Sequence, residues 1–143
     1  MRIVKTKTFE LAVYEKSNKN SSKLAIVIPG RLDTKDYVHN TSLVDYLANH
    51  GYFALSFDPP GTWESPGDIS LYTTTNLIKS VNELIEFFGN KPTLLAGHSR
   101  GGTIAMLAGP KNSYVTHIIP IFSYYGASSD PSDERIVDGK VMS

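Results

Sequence analysis

Apolar residues along this chain alternate between short unbroken runs and longer segments with helical spacing. The unbroken, β-branched run Leu24–Ile28 predicts a strand that is buried on both of its faces. Further apolar runs predict strands at residues 53–57, 93–96 and 115–122. Each of these runs is bounded by glycine, proline or polar residues, which is typical of strands joined by turns.

A different pattern marks the N-terminus. Phe9, Leu11 and Val13 alternate with polar or small residues, which predicts a half-exposed strand. Ile3 and Val4 lie a few residues before it, so we predict that the two segments pair as a hairpin.

Helical spacing is clearest at about residues 74–88, where apolar residues recur at intervals of three and four. Gly89 follows as a stop signal. Two shorter helices are predicted at residues 36–49, ended by Gly51, and at residues 102–108.

The order of these elements predicts the fold class. Residues 58–68 contain three prolines and two glycines, so we expect an irregular loop there. Outside this loop, the predicted strands alternate with the predicted helices. Such alternation predicts an α/β fold, a mostly parallel sheet flanked by helices on both faces.

Composition indicates the number of domains and narrows the classes of binding partner. The 143 residues, 41% of them apolar, suffice for one domain with a sizeable core, predicted over residues 1–143. Lysine plus arginine and aspartate plus glutamate number 14 each, so no charge excess indicates a nucleic acid or an anionic membrane.

Cysteine is absent, which excludes disulfides, thiolate zinc sites and a cysteine nucleophile. The N-terminal residues 1–7 carry charges without an apolar signal region behind them. No apolar run approaches the roughly 20 residues that span a bilayer. We therefore predict a cytoplasmic protein without a membrane span.

The most informative motif lies at residues 97–101, Gly-His-Ser-Arg-Gly, with Ser99 at its centre. The motif follows the predicted strand at 93–96 and precedes the predicted helix at 102–108. A G-x-S-x-G sequence in this context forms a sharp strand-to-helix turn that exposes its serine as a nucleophile. The small glycines are needed because strand and helix pass close together there.

With this motif the chain resembles the α/β-hydrolase superfamily, over roughly residues 9 to 122. Residues 24–30 look like the family's third strand and its oxyanion-loop glycine. Residues 57–61, Phe-Asp-Pro-Pro-Gly, resemble the turn after its fourth strand, and residues 97–102 resemble the elbow of its esterase, lipase and peptidase branches.

The resemblance implies a serine hydrolase that acts on an ester or related small acyl substrate through an acyl-Ser99 intermediate. The oxyanion hole would use the backbone N–H groups of Arg100 and Arg31. The guanidinium groups of these two arginines are expected at the solvated surface rather than on a substrate anion. No metal or organic cofactor is implied.

The chain departs from the family after the nucleophile. In this family the acid and the histidine of the triad normally follow the serine, after the seventh and eighth strands. Here only His117 follows Ser99, and it lies inside a predicted strand. We therefore expect the N-terminal part of the fold, truncated after about the sixth strand, with residues 123–143 as an irregular tail. The alternative function is a non-catalytic or incomplete hydrolase-fold chain.

Four other side chains are weighed for roles at the site. His39 is the candidate for a substitute base, because the segment after the oxyanion turn lies near the site in this family. His98 is expected to pack away from Ser99. Asp58 is expected to anchor its own loop, and Trp63 either borders the substrate entrance or packs its loop. The carboxylates expected in a solvated turn and tail are Asp130, Asp133 and Asp138.

Two further alternatives follow from the same segments. A glycine-rich turn also binds phosphates, but residues 97–102 lack a P-loop lysine and the dinucleotide spacing. A chain that ends after the sixth strand would expose the apolar edge at residues 118–122. Such an edge invites self-association.

Overall fold

The computed structural model describes residues 1–17, 21–123, 135–137 and 140–142. These residues form strands and helices in the α/β order that the sequence predicts. The strands are β1 (Arg2–Lys5), β2 (Glu10–Lys16), β3 (Leu24–Ile28), β4 (Phe53–Phe57), β5 (Thr93–His98), β6 (Val115–Ile121), β7 (Arg135–Val137) and β8 (Lys140–Met142). The α-helices are α1 (Val38–Asn49), α2 (Thr74–Phe87) and α3 (Arg100–Ala108).

The main sheet has six described strands in the order β1-β2-β4-β3-β5-β6. Strands β4, β3, β5 and β6 run parallel, whereas β1 and β2 form an antiparallel hairpin, with β2 antiparallel to β4. The predicted mostly parallel sheet is confirmed. Parallel pairing requires crossovers, which α1, α2 and α3 provide between successive parallel strands.

Strand β3 shows why an unbroken apolar run forms a central strand. Leu24, Ile26 and Ile28 are buried in a core beneath α2 and α3. Ala25 and Val27 point to the opposite face, where they are buried beneath α1. Successive side chains of a strand face opposite sides, so helices on both faces bury every residue of β3.

Several predicted boundaries shift by a few residues because tertiary contacts extend or stop the elements. Strand β5 continues to His98, since its last residues pair with β6. Strand β6 ends at Ile121, because Phe122 has a φ of 51° that no strand accommodates. Helix α1 begins at Val38, because Tyr37 is extended, with φ −63° and ψ 143°.

The segment 123–143 lies mostly outside the described residues. Within it, β7 and β8 pair antiparallel with each other. Their β-branched residues Ile136, Val137 and Val141 favour extended backbone. The irregular tail expected for the segment as a whole stays a prediction. Among the described strands β6 pairs only with β5, and Ile119 on it is 43% exposed. Self-association through this edge stays a prediction.

A buried carboxylate joins α2 to the first hairpin. Glu83 accepts hydrogen bonds from the Thr6 hydroxyl at 2.8 Å, the Thr8 backbone N–H at 2.7 Å and the Thr8 hydroxyl at 2.6 Å. Burial raises the pKa of Glu83, but the Thr8 and Thr6 hydrogen bonds and the charge of Lys79 outweigh it, so the net pKa is lowered. The ionised form is therefore the one that stabilises the fold.

We expect Glu83→Gln to lower the free energy of unfolding by about 1–3 kcal/mol at pH 7, because the amide nitrogen cannot accept these bonds. A carboxylate with a lowered folded pKa stabilises the protein above its unfolded pKa, and this contribution is lost as the pH falls through the folded value. The deficit of the variant should therefore shrink below about pH 4.5. Urea denaturation of the variant and the wild type, at pH 7 and at acidic pH, measures this difference in the free energy of unfolding.

Glu86→Gln is the matched control, because this carboxylate on the same helix is exposed and lies 3.6 Å from Lys7. Its effect should be within about 0.5 kcal/mol at both pH values. Equal deficits for Glu83→Gln at neutral and acidic pH would contradict the stabilising role of the ionised carboxylate.

Candidate active site

Ser99 lies at a sharp bend between β5 and α3. It is exposed, and its backbone is left-handed, with φ 56° and ψ −119°. The Ser99 N–H donates to the Ile121 carbonyl at 2.8 Å, while its own carbonyl accepts from the Thr103 N–H at 3.1 Å and the Ser123 hydroxyl at 2.7 Å. A left-handed non-glycine residue costs about 1–3 kcal/mol, and these bonds hold it in place.

Three glycines allow this bend because backbones pass within contact distance of it. A Cβ on Gly101 would overlap the Ile28 carbonyl oxygen, and one on Gly97 would overlap the Gly101 carbonyl carbon. A Cβ on Gly102 would overlap the Ser123 hydroxyl oxygen. The glycines of the motif are thus required by the packing of α3 against the ends of β3 and β5.

The loop after β3 begins with a tight turn. The Asp33 N–H donates to the Gly30 carbonyl at 3.1 Å, and Leu32 is left-handed, with φ 56°. The Leu32 N–H donates to the Tyr72 hydroxyl at 3.0 Å, and its carbonyl accepts from the Trp63 indole N–H at 2.9 Å. Two side chains of the segment between β4 and α2 therefore fix the conformation of this turn.

The turn lies against the end of β5. A Cβ on Gly30 would lie 3.2 Å from the His98 carbonyl oxygen, directly before Ser99. The turn that contains Arg31 and the start of α3 at Arg100 therefore share one edge of the sheet, at the carboxyl ends of parallel strands. Open α/β sheets bind ligands at this edge.

The two arginine side chains differ in environment. Arg31 is exposed, as expected. Arg100 is half-buried, which corrects the expectation of a solvated side chain. Its Nη2 donates to the Thr74 hydroxyl at 2.6 Å, and its guanidinium carbon lies 5.8 Å from the centroid of the Tyr72 ring. The guanidinium thus packs onto the segment that leads into α2.

His39 forms a pair with a carboxylate at this edge. Its Nε2 lies 2.9 Å from Oδ2 of Asp33, and the side chains are 45% and 22% exposed. The His39 ring centroid lies 5.5 Å from that of His98. The pair therefore lies beside the residue that precedes Ser99.

Five rings form a continuous chain along the same edge, which we call the aromatic row. In spatial order the aromatic row consists of Trp63, Tyr37, His39, His98 and Phe122. Successive ring centroids lie 6.0, 6.0, 5.5 and 5.9 Å apart. The side chain of His98 thus packs between two other rings, while Trp63 contacts Tyr37 and the turn after β3.

A buried ion pair joins the loop after β3 to the loop after β4. The side chains of Lys35 and Asp58 are both 0% exposed, and Nζ donates to Asp58 at 3.0 Å, to Asp36 at 3.0 Å and to Glu64 at 2.7 Å. Asp58 also accepts from the Thr34 hydroxyl and from two backbone N–H groups. Asp58 was expected to anchor its own loop, and it also holds the loop after β3.

These bonds settle the charge of the buried lysine. Burial lowers the pKa of Lys35, but the hydrogen bonds to Glu64, Asp58 and Asp36 outweigh it and raise the pKa above its ordinary value. The ammonium is therefore charged at neutral pH and is neutralised by the carboxylates around it.

The remaining candidates lie elsewhere or outside the described residues. His117 on β6 contacts the Thr116 hydroxyl. The acidic candidates Asp130, Asp133 and Asp138 lie outside the described residues. Among residues 1–17, 21–123 and the short strands β7 and β8, no three histidine or acidic side chains cluster to hold a metal ion.

Sequence reasoning missed four residues at this edge. These are Asp33, Lys35, Tyr37 and Phe122. The segment after β3 is rich in polar residues, a signal that it is functional, but nothing in the sequence shows that Lys35 is buried. In the part of the chain that the structure describes, no helix has the length and hydropathy needed to cross a membrane.

Comparisons with known proteins identify a family and a fold. A sequence profile described as alpha/beta hydrolase fold matches residues 25–133. A comparison with curated proteins finds no match. Solved structures of low sequence identity share the architecture.

Three of them illustrate the similarity. Est1E from Butyrivibrio proteoclasticus with ferulic acid bound matches with a TM-score of 0.78 and 22% identity, over 94% of this chain and 56% of Est1E. Mouse alpha/beta hydrolase domain-containing protein 10 matches with a TM-score of 0.69 and 21% identity, over 83% and 48%. An alpha-beta serine hydrolase homologue from Coxiella burnetii matches with a TM-score of 0.63 and 23% identity, over 77% and 57%. The chain thus spans about half the length of these proteins.

We expect Gly101→Ala to destabilise the fold by at least about 2 kcal/mol, because the added methyl group meets the Ile28 backbone, which cannot move away as a side chain can. Helix propensity alone predicts the opposite sign, since alanine is favoured over glycine within a helix by about 1 kcal/mol. The sign of the change in urea denaturation therefore decides between the two effects.

Thr75→Ala is the control, because Thr75 is exposed in the first turn of α2 and alanine there improves helix propensity without a collision. It should leave stability unchanged or slightly raised. A Gly101→Ala variant as stable as the wild type would contradict the close approach of α3 to β3.

Proposed function

Since the chain belongs to the alpha/beta hydrolase fold family, we propose that it hydrolyses a carboxylic ester or related acyl compound through an acyl intermediate on Ser99. The observation that carries this proposal is the left-handed backbone of an exposed serine at a strand-to-helix bend. Strained backbone is retained where surrounding structure holds it, and it is concentrated at active sites.

The chemistry follows from the position of the hydroxyl. Ser99 Oγ attacks the acyl carbon, a base takes its proton, and the carbonyl oxygen becomes an oxyanion. The backbone N–H groups of Arg100 and Arg31 are the proposed donors to this oxyanion, each contributing roughly 3 to 4 kcal/mol. The base returns the proton to the leaving alcohol, and water then attacks the acyl-serine and releases the acid.

We propose His39 as the base within this chain. Its bond to Asp33 supports the proposal, because a carboxylate orients an imidazole and stabilises the imidazolium that forms. Its contact with His98 supports it as well, because that contact lies next to the nucleophile in the chain. Relatives described as hydrolases support the reaction class by analogy of fold only.

The second candidate function is a non-catalytic chain of the same fold. One observation favours it: the described histidine that follows Ser99 in the chain, His117, pairs with Leu94, far down β5 from the bend. In this case ester turnover would be limited to the rate that binding and the oxyanion donors provide, orders of magnitude below that of a complete triad.

We expect a fluorophosphonate probe to label the folded protein and Ser99→Ala to abolish labelling, because the probe reacts with an activated serine hydroxyl. Ser42→Ala, an exposed serine on α1, should be labelled as the wild type is. Intact-mass and peptide mass spectrometry measure the adduct. His39→Gln should slow labelling at least 100-fold, because a general base contributes about 10²–10⁴.

Circular dichroism establishes that each variant is folded before labelling is compared. A folded wild type without an adduct, or an adduct on another serine, would contradict the hydrolase proposal and favour the non-catalytic chain. Unchanged labelling of His39→Gln would leave Ser99 as the nucleophile and reject His39 as its base.

A further inference from the structure

The aromatic row is exposed along the edge of the sheet where Ser99 lies. Trp63 is 57% exposed, Tyr37 42% and Phe122 87%. Single exposed apolar side chains are ordinary, but a contiguous exposed apolar surface marks a binding site. The apolar rings Trp63, Tyr37 and Phe122 are linked into one surface by the rings of His39 and His98, since each ring of the row lies within 6.0 Å of the next.

Both ends of the aromatic row have strained backbones. Trp63 has a φ of 46° and Phe122 a φ of 51°, and the neighbouring Leu32 has a φ of 56°. Bulky residues rarely adopt such values, at a cost of about 1–3 kcal/mol each. The Trp63 indole N–H is bound to the Leu32 carbonyl at 2.9 Å, so this ring is held in its exposed position.

The aromatic row passes beside the proposed nucleophile. His98, its fourth ring, directly precedes Ser99 in the chain. Phe122, its last ring, directly follows Ile121, whose carbonyl accepts the Ser99 N–H. A small molecule that stacks on these rings would therefore lie at the same edge of the sheet as the Ser99 bend.

The ring geometry favours one class of ligand. Adjacent rings are tilted by 51° to 76°, so the aromatic row presents both faces and edges. An aromatic ligand gains about 0.5–1.5 kcal/mol per favourable ring pair beyond its buried area, through offset or edge-to-face contacts that a saturated ring cannot make.

We propose that the aromatic row binds an aromatic group of the substrate, so that the ester carries an aryl-containing acyl or alcohol part. The assignment of this ligand as a substrate rests on the function proposed above. The binding of the aromatic group does not, because stacking on the rings requires no reaction at Ser99 or at His39.

The chain contains one tryptophan, Trp63, and eight tyrosines, so fluorescence excited at wavelengths that tyrosine does not absorb reports on the aromatic row alone. The Ser99→Ala variant, which cannot form the acyl intermediate, is titrated with methyl 3-phenylpropanoate and with methyl 3-cyclohexylpropanoate. These esters share a skeleton and differ in whether the ring is aromatic. We expect saturable binding of the phenyl ester, at least fivefold tighter than that of the cyclohexyl ester.

Ring-removal variants show which rings contribute. Tyr37→Leu and Phe122→Leu keep the fluorescent reporter, and each should weaken phenyl-ester binding at least fivefold with little effect on the cyclohexyl ester. Tyr46→Leu is the matched control, because Tyr46 is 58% exposed on α1 and stacks on His50 outside the row. Its affinities should be unchanged. Isothermal titration calorimetry repeats the measurement without the fluorophore.

Equal affinities for the two esters would show a merely apolar surface and would overturn the proposal, as would the absence of binding. Size-exclusion chromatography establishes whether the protein self-associates. If it does, and phenyl-ester binding is lost when high dilution separates the copies, the proposal is overturned too. If phenyl-ester binding is found but the wild type is not labelled by the fluorophosphonate, the aromatic site stands and the hydrolase proposal fails. If the fluorophosphonate labels the wild type but the two esters bind with equal affinity, the aromatic site alone is rejected.

Discussion

The candidate site depends on the close approach of three backbone segments at the carboxyl edge of the sheet. The first turn of α3 contacts the ends of β3 and β5 so tightly that a methyl group on Gly97 or Gly101 would overlap backbone atoms. This contact forces the chain to reverse within one residue, and Ser99 takes the left-handed conformation that the reversal requires. Exposure of its hydroxyl is a consequence of backbone packing and needs no side-chain partner.

A second constraint holds the loops around this bend. Lys35 is fully buried and joins Asp36, in the loop after β3, to Asp58 and Glu64, in the loop after β4. The desolvation of a buried ion pair offsets most of its attraction, so we expect it to contribute little net stability. Its effect is geometric, because the same two loops carry Tyr37 and Trp63.

The strained residues connect the two proposals made for this chain. Of the described non-glycine residues with positive φ, Leu32, Trp63, Ser99 and Phe122 all lie at this edge. Strain stored at one edge requires stabilisation elsewhere, which the two cores on either face of the sheet provide. The nucleophile is held in place by its backbone, and the rings are held by neighbouring loops. Both are therefore preorganised, as binding and catalysis at one site require.

The strands, the helices and the elbow could be predicted from the sequence, because apolar periodicity and glycine spacing are local signals. The sequence predicted β3 and β4 at their observed bounds, helix α2 within one residue, and the bend at Ser99. Three features emerge only from the folded chain: Lys35 is buried, His39 pairs with Asp33, and rings distant in the chain form one row. Burial and ring contacts depend on which loops meet at the edge of the sheet, and no local pattern encodes that meeting.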